Sequence, residues 1–151
     1  MKDIGFVSHC LGANSTIIAM SKKPDKFSKV RALAAIQPIS TNILVKCMLK
    51  DKYPLFKSRY ENINKKSKQY TGYTLEEMSP AEYVKDIRVP TLYVQVREDP
   101  WTEPHDIQDF YINTPEPKQI FWIDGYRNRF DGYNYFGENP RLLLDYLKKY
   151  M

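Results

Sequence analysis

Four short apolar stretches punctuate this chain, and each is followed by a segment whose apolar residues recur at a different period. Ile4-Gly5-Phe6-Val7, Val30 to Ile36, Val89 to Val96 and Gln119 to Ile123 are each too short for a stable helix. Bounded by turn residues, and in the third case rich in β-branched and aromatic side chains, they predict strands. Helical spacing runs from Ala13 to Met20 and ends at Lys22-Lys23-Pro24. Thr41 or Asn42 can cap a second helix reaching about Leu49. Residues 51–73, polar and rich in Lys and Tyr, predict a helix and a loop. Ser79-Pro80 opens a short helix through Asp86, because the fixed φ and missing N–H of proline suit a first helical turn. Pro104 to Tyr111 predicts another, with Thr102 as its cap. Pro140 begins a terminal helix in which Leu142, Leu143, Tyr146, Leu147 and Tyr150 share one face. Strands alternating with helices at this spacing predict an α/β fold, with about four mainly parallel strands and flanking helices.

The 151 residues suit a single domain spanning residues 1–151, with no internal repeat or linker. No apolar run approaches the roughly 20 residues of a membrane-spanning helix, and Met1-Lys2-Asp3 leads into no secretory apolar region. A soluble, cytoplasmic protein is expected. Cys10 and Cys47 cannot build a disulfide framework, and no Cys/His spacing predicts a metal site, so no cofactor is expected. Charge is uneven: residues 1–70 carry 14 Lys and Arg against 4 Asp and Glu, and residues 71–151 carry 9 against 14. The basic half raises the question of an acidic polymer as partner. Its lysines are spread over several elements and match no nucleic-acid-binding pattern, so a solvated helical surface is the expectation and nucleic acid is not.

The first strand enters a tight turn at Ser8-His9-Cys10-Leu11-Gly12-Ala13. A residue at the apex of a strand-to-helix turn is held in a strained backbone conformation, with its side chain exposed at the carboxyl end of the sheet. Small residues are expected two positions to either side. Ser8 and Gly12 fill those positions around Cys10. The helix N-terminus there would favour a thiolate. A small Cys buried in a structural turn would read the same way.

This segment resembles the nucleophile elbow of the α/β-hydrolase superfamily, in the cysteine form of its dienelactone-hydrolase-like members. The stretch from Pro80 through Val89-Pro90-Thr91-Leu92-Tyr93-Val94 resembles the superfamily's approach to the strand that carries the triad acid. The resemblance places Asp99 in that role and makes Leu11 N–H one oxyanion donor. It covers roughly residues 4–150, as the C-terminal half of the fold. By the same resemblance about four strands precede the elbow strand in complete members, so this is a truncated version lacking the N-terminal strands.

Two departures bear on catalysis. The loop position that holds the family's catalytic His carries Asn128, and an amide cannot accept the nucleophile's proton. The chain's two histidines are His9, beside the apex, and His105, just past the acid loop; His105 is the candidate base. No segment here supplies the family's second oxyanion donor. Truncation would also leave Ile4–Val7 as an apolar edge strand, an aggregation liability unless covered. The expected cover is a second copy in a homodimer formed through the elbow strand, or a separate N-terminal half.

The segment Arg129-Phe130-Asp131-Gly132-Tyr133-Asn134-Tyr135-Phe136-Gly137 reads as an aromatic loop. With Trp101 and Trp122 it could line the mouth of a small-molecule pocket in which Arg127 or Arg129 meets an anionic group and Tyr133 contacts substrate. The competing expectation is that these rings pack the terminal helix onto the sheet. Three functions stay open: an ester, lactone or thioester hydrolase using Cys10; a catalytically silent relative that oligomerises or binds a ligand; and, behind both, an acidic-polymer binder.

Overall fold

The computed structural model describes residues 3–50 and 56–151. Four strands form one sheet: β1 (Ile4–His9), β2 (Val30–Ile36), β3 (Thr91–Val96) and β4 (Lys118–Ile123), in the order β1-β2-β3-β4 and all parallel. Between and after them lie α1 (Cys10–Lys22), α2 (Thr41–Lys50), α3 (Phe56–Thr71), α4 (Pro104–Asn113), α5 (Arg129–Glu138) and α6 (Arg141–Tyr150). Short 3₁₀ turns at Pro24–Phe27, Pro80–Glu82 and Val84–Asp86 complete the connections, and the last two replace the single short helix expected after Ser79. The predicted α/β class and the four parallel strands are those observed. Part of the 51–73 reading, residues 51–55, lies outside the described residues.

Period-2 alternation in the two central strands explains why helices cover both faces. Leu33 and Ala35 of β2 and Tyr93 of β3 pack with Ala13, Ile17 and Met20 of α1 and Ile107 and Phe110 of α4. Their neighbours Ala32, Ala34, Leu92, Val94 and Val96 face the other way, against Phe136 of α5 and Tyr146 of α6. Both strands are thus apolar on two faces, the signature of interior parallel strands. The alanines of β2 keep the sheet thin enough for helices to approach from either side. The apolar face expected for the terminal helix is present, since Leu142, Leu143, Leu147 and Tyr150 pack with Tyr146 on the second face.

The edge strand behaves as anticipated from its sequence: Ile4 and Val7 of β1 are each 43% exposed. Two other expectations need correction. Residues 129–137 are a helix, not a loop. Asn128 caps α5, its side-chain oxygen accepting from Phe130 N at 2.9 Å, and burial of Phe136 outweighs the poor helix propensity of Gly132 and Gly137. Thr102 does not cap α4; Glu103 holds that position without a side-chain bond, and Thr102 accepts from Gln95 Nε2 at 3.0 Å.

Candidate active site

Because the strands are parallel, their carboxyl ends lie together along one edge of the sheet, where ligands of open α/β sheets bind. His9 of β1 pairs with Ile36 of β2, Ile36 with Val94 of β3, and Val96 with Ile123 of β4. The residues that follow these ends are Cys10, Gln37, Asp99 and Arg129.

Cys10 stands between an extended His9 and the first turn of α1, with φ of 49°. Left-handed backbone at a β-unbranched, non-glycine residue costs roughly 1–3 kcal/mol and persists where surrounding structure imposes it. Several contacts impose it here. Ser8 Oγ and Thr16 Oγ1 are 2.9 Å apart across the turn. Asn14, buried in α1, donates to Ile39 O at 2.6 Å and accepts from Ile39 N at 3.2 Å, fastening the helix to the loop after β2. The small-neighbour argument holds only in part: a Cβ at Gly12 would meet nothing within 4 Å. Leu11 is 47% exposed beside the apex, and its N–H belongs to the first turn of α1, where backbone donors lack intrahelical partners.

Asp99 follows β3, as the acid expected from the sequence does, but its partner is an arginine. Its Oδ2 pairs with Arg129 Nη1 and accepts from Gln95 Nε2 at 2.9 Å, while Oδ1 accepts from Trp101 N at 2.9 Å. Arg129 is therefore not at a pocket mouth awaiting an anion. Its Nη2 donates to Gln37 O, its Nε donates to Tyr133 Oη at 2.9 Å, and its own carbonyl accepts from Gln37 Nε2. Burial alone would lower the guanidinium's pKa, but the Asp99 charge beside it, aided by Tyr133, leaves it raised, so Arg129 is a fixed cation. Gln37, like Cys10, has φ of 49°. Its side chain fits only because residue 132 is glycine: a Cβ there would come within 2.5 Å of Gln37 Nε2 and 2.8 Å of Val96 Cγ2.

Tyr133 links this buried pair to the elbow. Its ring lies 5.5 Å from that of His9 and 5.8 Å from that of Phe130, which in turn meets Trp101 edge-on at 5.9 Å. Burial is the main cause that pushes the Tyr133 hydroxyl up to about 12, and the Arg129 charge opposes it. Burial also lowers the His9 imidazole below its ordinary value, so His9 is a neutral ring packed on Tyr133. Tyr133, Arg129 and Asp99 thus form a continuous polar chain that reaches the elbow through the ring of His9, with Trp101 at its aromatic border. His105 is not placed in it. That side chain is exposed at the start of α4 and its Nδ1 lies 3.1 Å from a carboxylate oxygen of the exposed Glu103.

The sequence reading missed Gln37 and Gln95, the two buried amides that tie the strand ends together. The available signal was a polar residue at or just past the carboxyl end of an interior strand. It also missed a second buried carboxylate, Asp106, which accepts from Ser40 Oγ at 2.5 Å and from Ser40 N at 3.1 Å. Burial raises the pKa of Asp106 despite those bonds, and the contact anchors the loop before α2 to α4. Two grooves, of about 220 and 350 Å³, lie elsewhere and are lined by none of the residues of the polar chain. Among the described residues no group of three or more His, Cys, Asp or Glu could hold a metal ion, and no helix is long and apolar enough to cross a membrane.

This arrangement has the α/β-hydrolase fold over about half of that fold's length. An esterase from Pyrococcus furiosus superposes on 99% of the chain with a TM-score of 0.67 at 17% identity, and the match takes in 54% of that esterase. The esterase domain of a Rhodothermus marinus protein matches 97% of the chain at 16% identity with a TM-score of 0.64, over 61% of its own length. An acetyl xylan esterase from a Paenibacillus species matches 98% at 13% identity and a TM-score of 0.67, over 45% of its length. The chain thus spans about half the length of these solved structures. No family model matches it, and no curated protein sequence is similar to it.

Proposed function

We propose that this chain carries the nucleophile-bearing half of a hydrolase of carboxylic-ester, lactone or thioester bonds, with Cys10 as nucleophile. The observation that carries the reading is the left-handed backbone at Cys10 between β1 and α1, the strand-to-helix conformation that a nucleophile at such an elbow requires. In this reading the Cys10 thiolate attacks the acyl carbon, forming the C–S bond as the carbonyl π pair moves onto oxygen. The Leu11 N–H donates to that oxyanion. Collapse expels the leaving alkoxide or thiolate, which takes a proton from water, and water then hydrolyses the thioester to restore the thiol. A thiol depends less on a base than a hydroxyl does, because a few per cent is ionised near pH 7. Asp99 serves as counter-ion of Arg129 rather than as the partner of an imidazole.

The neighbouring esterases support ester substrates by their fold alone. The test is hydrolysis of p-nitrophenyl acetate by the wild type and by Cys10→Ala, with mass spectrometry of the wild type for an acetyl group on Cys10. Equal rates in the two proteins would sink the reading. Acetylation of Cys10 without turnover would favour the silent alternative, which draws on the occupation of Asp99 by Arg129.

The same reading assigns a cover to the open edge of β1, either a second copy of this chain or a separate N-terminal half. The apolar Ile4 and Val7 on that edge motivate it. Sedimentation at micromolar concentration should show a dimer, or a monomer that becomes heterodimeric on addition of the missing half. A monomer that stays dispersed and binds neither would remove the cover.

A further inference from the structure

The net charge of the chain sits on one pair of helices. α2 and α3 hold seven Lys and Arg and a single acid, Glu61, a net +6 against +5 for the whole chain. All other residues together therefore sum to −1. Two acids after α3 offset part of this charge: Glu77 pairs with Lys68 at 2.9 Å, and Glu76 accepts from Tyr60, whose ring lies under Lys46. The exposed Lys65 and Lys66 join no ion pair among the described residues. The packed face of α3 is Tyr60, Asn64 and Ser67, at i, i+4 and i+7. Asn64 Oδ1 accepts from Leu75 N at 2.8 Å, and Ser67 Oγ donates to Tyr73 O at 2.9 Å. A second stripe, Arg59, Ile63, Lys66 and Tyr70 at i, i+4, i+7 and i+11, is exposed throughout, with Tyr70 80% accessible. Where this stripe meets α2, Leu49, Arg59, Asn62 and Ile63 line a groove of about 210 Å³.

Cations and apolar side chains thus alternate along one solvent-facing stripe, and the alternation selects among anionic partners. A nucleic-acid backbone is held by cations and polar donors, and unpaired bases by stacked aromatic faces; Ile63 offers neither. The surface of an anionic bilayer uses all four side chains. Arg59 and Lys66 meet phosphates, while Ile63 and the Tyr70 ring enter the boundary between headgroups and acyl chains. We propose that the stripe of Arg59, Ile63, Lys66 and Tyr70 docks the protein on an anionic phospholipid surface. α3 lies on that surface and does not cross it, being 16 residues long and mostly polar. This role is independent of the reading of Cys10 as nucleophile.

The test is co-sedimentation of the full chain with phosphatidylcholine vesicles and with vesicles containing about one-third phosphatidylglycerol, at about 0.1 M salt. The wild type should bind the mixed vesicles and leave the neutral ones. Reversing two charges, with Lys65→Glu and Lys66→Glu together, should weaken binding by about 30-fold or more. Ile63→Ser with Tyr70→Ser keeps every charge and should weaken it by about tenfold. Lys148→Glu with Lys149→Glu makes the same change in net charge on α6 and should bind within about threefold of wild type. No preference for the anionic vesicles overturns the proposal, as does equal weakening by the α6 pair, which would mark net charge alone. Unchanged binding of the Ile63 and Tyr70 variant also overturns it, since any polycation adsorbs that way. So does tighter binding of a single-stranded oligonucleotide that is lost in the Lys65 and Lys66 variant. Should the Ile63 and Tyr70 variant not fold, Tyr70→Ser alone should weaken binding by about threefold or more, and no change there counts against the proposal in the same way. Vesicle binding is read whether or not Cys10 is acylated, so the two readings fail separately.

Discussion

Arg129 and Asp99 meet as a guanidinium and a carboxylate that are each 1% exposed, one from the first residue of α5 and the other from the loop after β3. Removing one member of such a pair leaves an uncompensated buried charge and costs about 3–5 kcal/mol. Asp99→Asn and Arg129→Gln should each lower the urea midpoint by that amount of stability. The double variant should be less destabilised than the two singles combined. Strict additivity would show that the two charges do not sense one another.

Cys10 pairs strain with chemistry, and one substitution separates them. Cys10→Gly places at φ of 49° the residue that tolerates it best. It should abolish acylation while leaving the fold as stable or raising stability by up to about 1 kcal/mol. A clear loss of stability on denaturation would mean that the thiol's packing matters more than its backbone.

Two glycines near the site should respond in opposite senses to alanine. At Gly132 the added methyl collides with Gln37, whose amide is held by the Arg129 carbonyl, and with Val96. A loss of about 1–3 kcal/mol is expected, as for an overpacked core. At Gly12, inside α1 and facing open space, alanine should be neutral or stabilise by up to about 1 kcal/mol through helix propensity. Thermal melts of the two variants check the pair. A destabilised Gly12→Ala would reveal a surface pressed against the elbow.

His9 makes stability depend on pH in a defined direction. Its folded pKa lies below the ordinary 6.5 because burial disfavours the charged ring. Between the two values the unfolded chain therefore binds more protons than the folded one, and stability rises with pH. The contribution is complete above 6.5 and is lost as pH falls through that value toward the folded pKa. Unfolding free energies at pH 7 and pH 5 should converge in His9→Gln relative to wild type. An unchanged slope would mean that other groups set the acid limit.

The layout of strands and helices was legible because it depends on local periodicity. Val30–Ile36 and Val89–Val96 announce buried strands by composition, and the terminal helix shows its apolar face at i, i+3 and i+4. The elbow was legible for the same reason, as a five-residue pattern with a steric rationale. Gly12, half of that rationale, meets nothing in the folded chain, so the strand–turn–helix stands as expected without the steric cause assigned to that position. The partner of Asp99 was hidden. Arg129 reads as a surface cation, and Gly132 and Gly137 argue against the helix that carries it. Only tertiary packing, with Asn128 as cap and Phe136 buried, brings it under the sheet edge. Long-range pairing of residues 30 apart has no local signature.

One guanidinium holds the ends of β2 and β3 and the start of α5, through Gln37, Asp99 and Tyr133. The carboxyl edge of the sheet is therefore inherited as a block. A lineage could not drift at Gln37, Asp99, Arg129, Gly132 or Tyr133 one position at a time without passing through a chain with an orphaned charge or a collision. Change at this edge would have to come in matched pairs, so homologous sequences should show these five positions varying together or not at all.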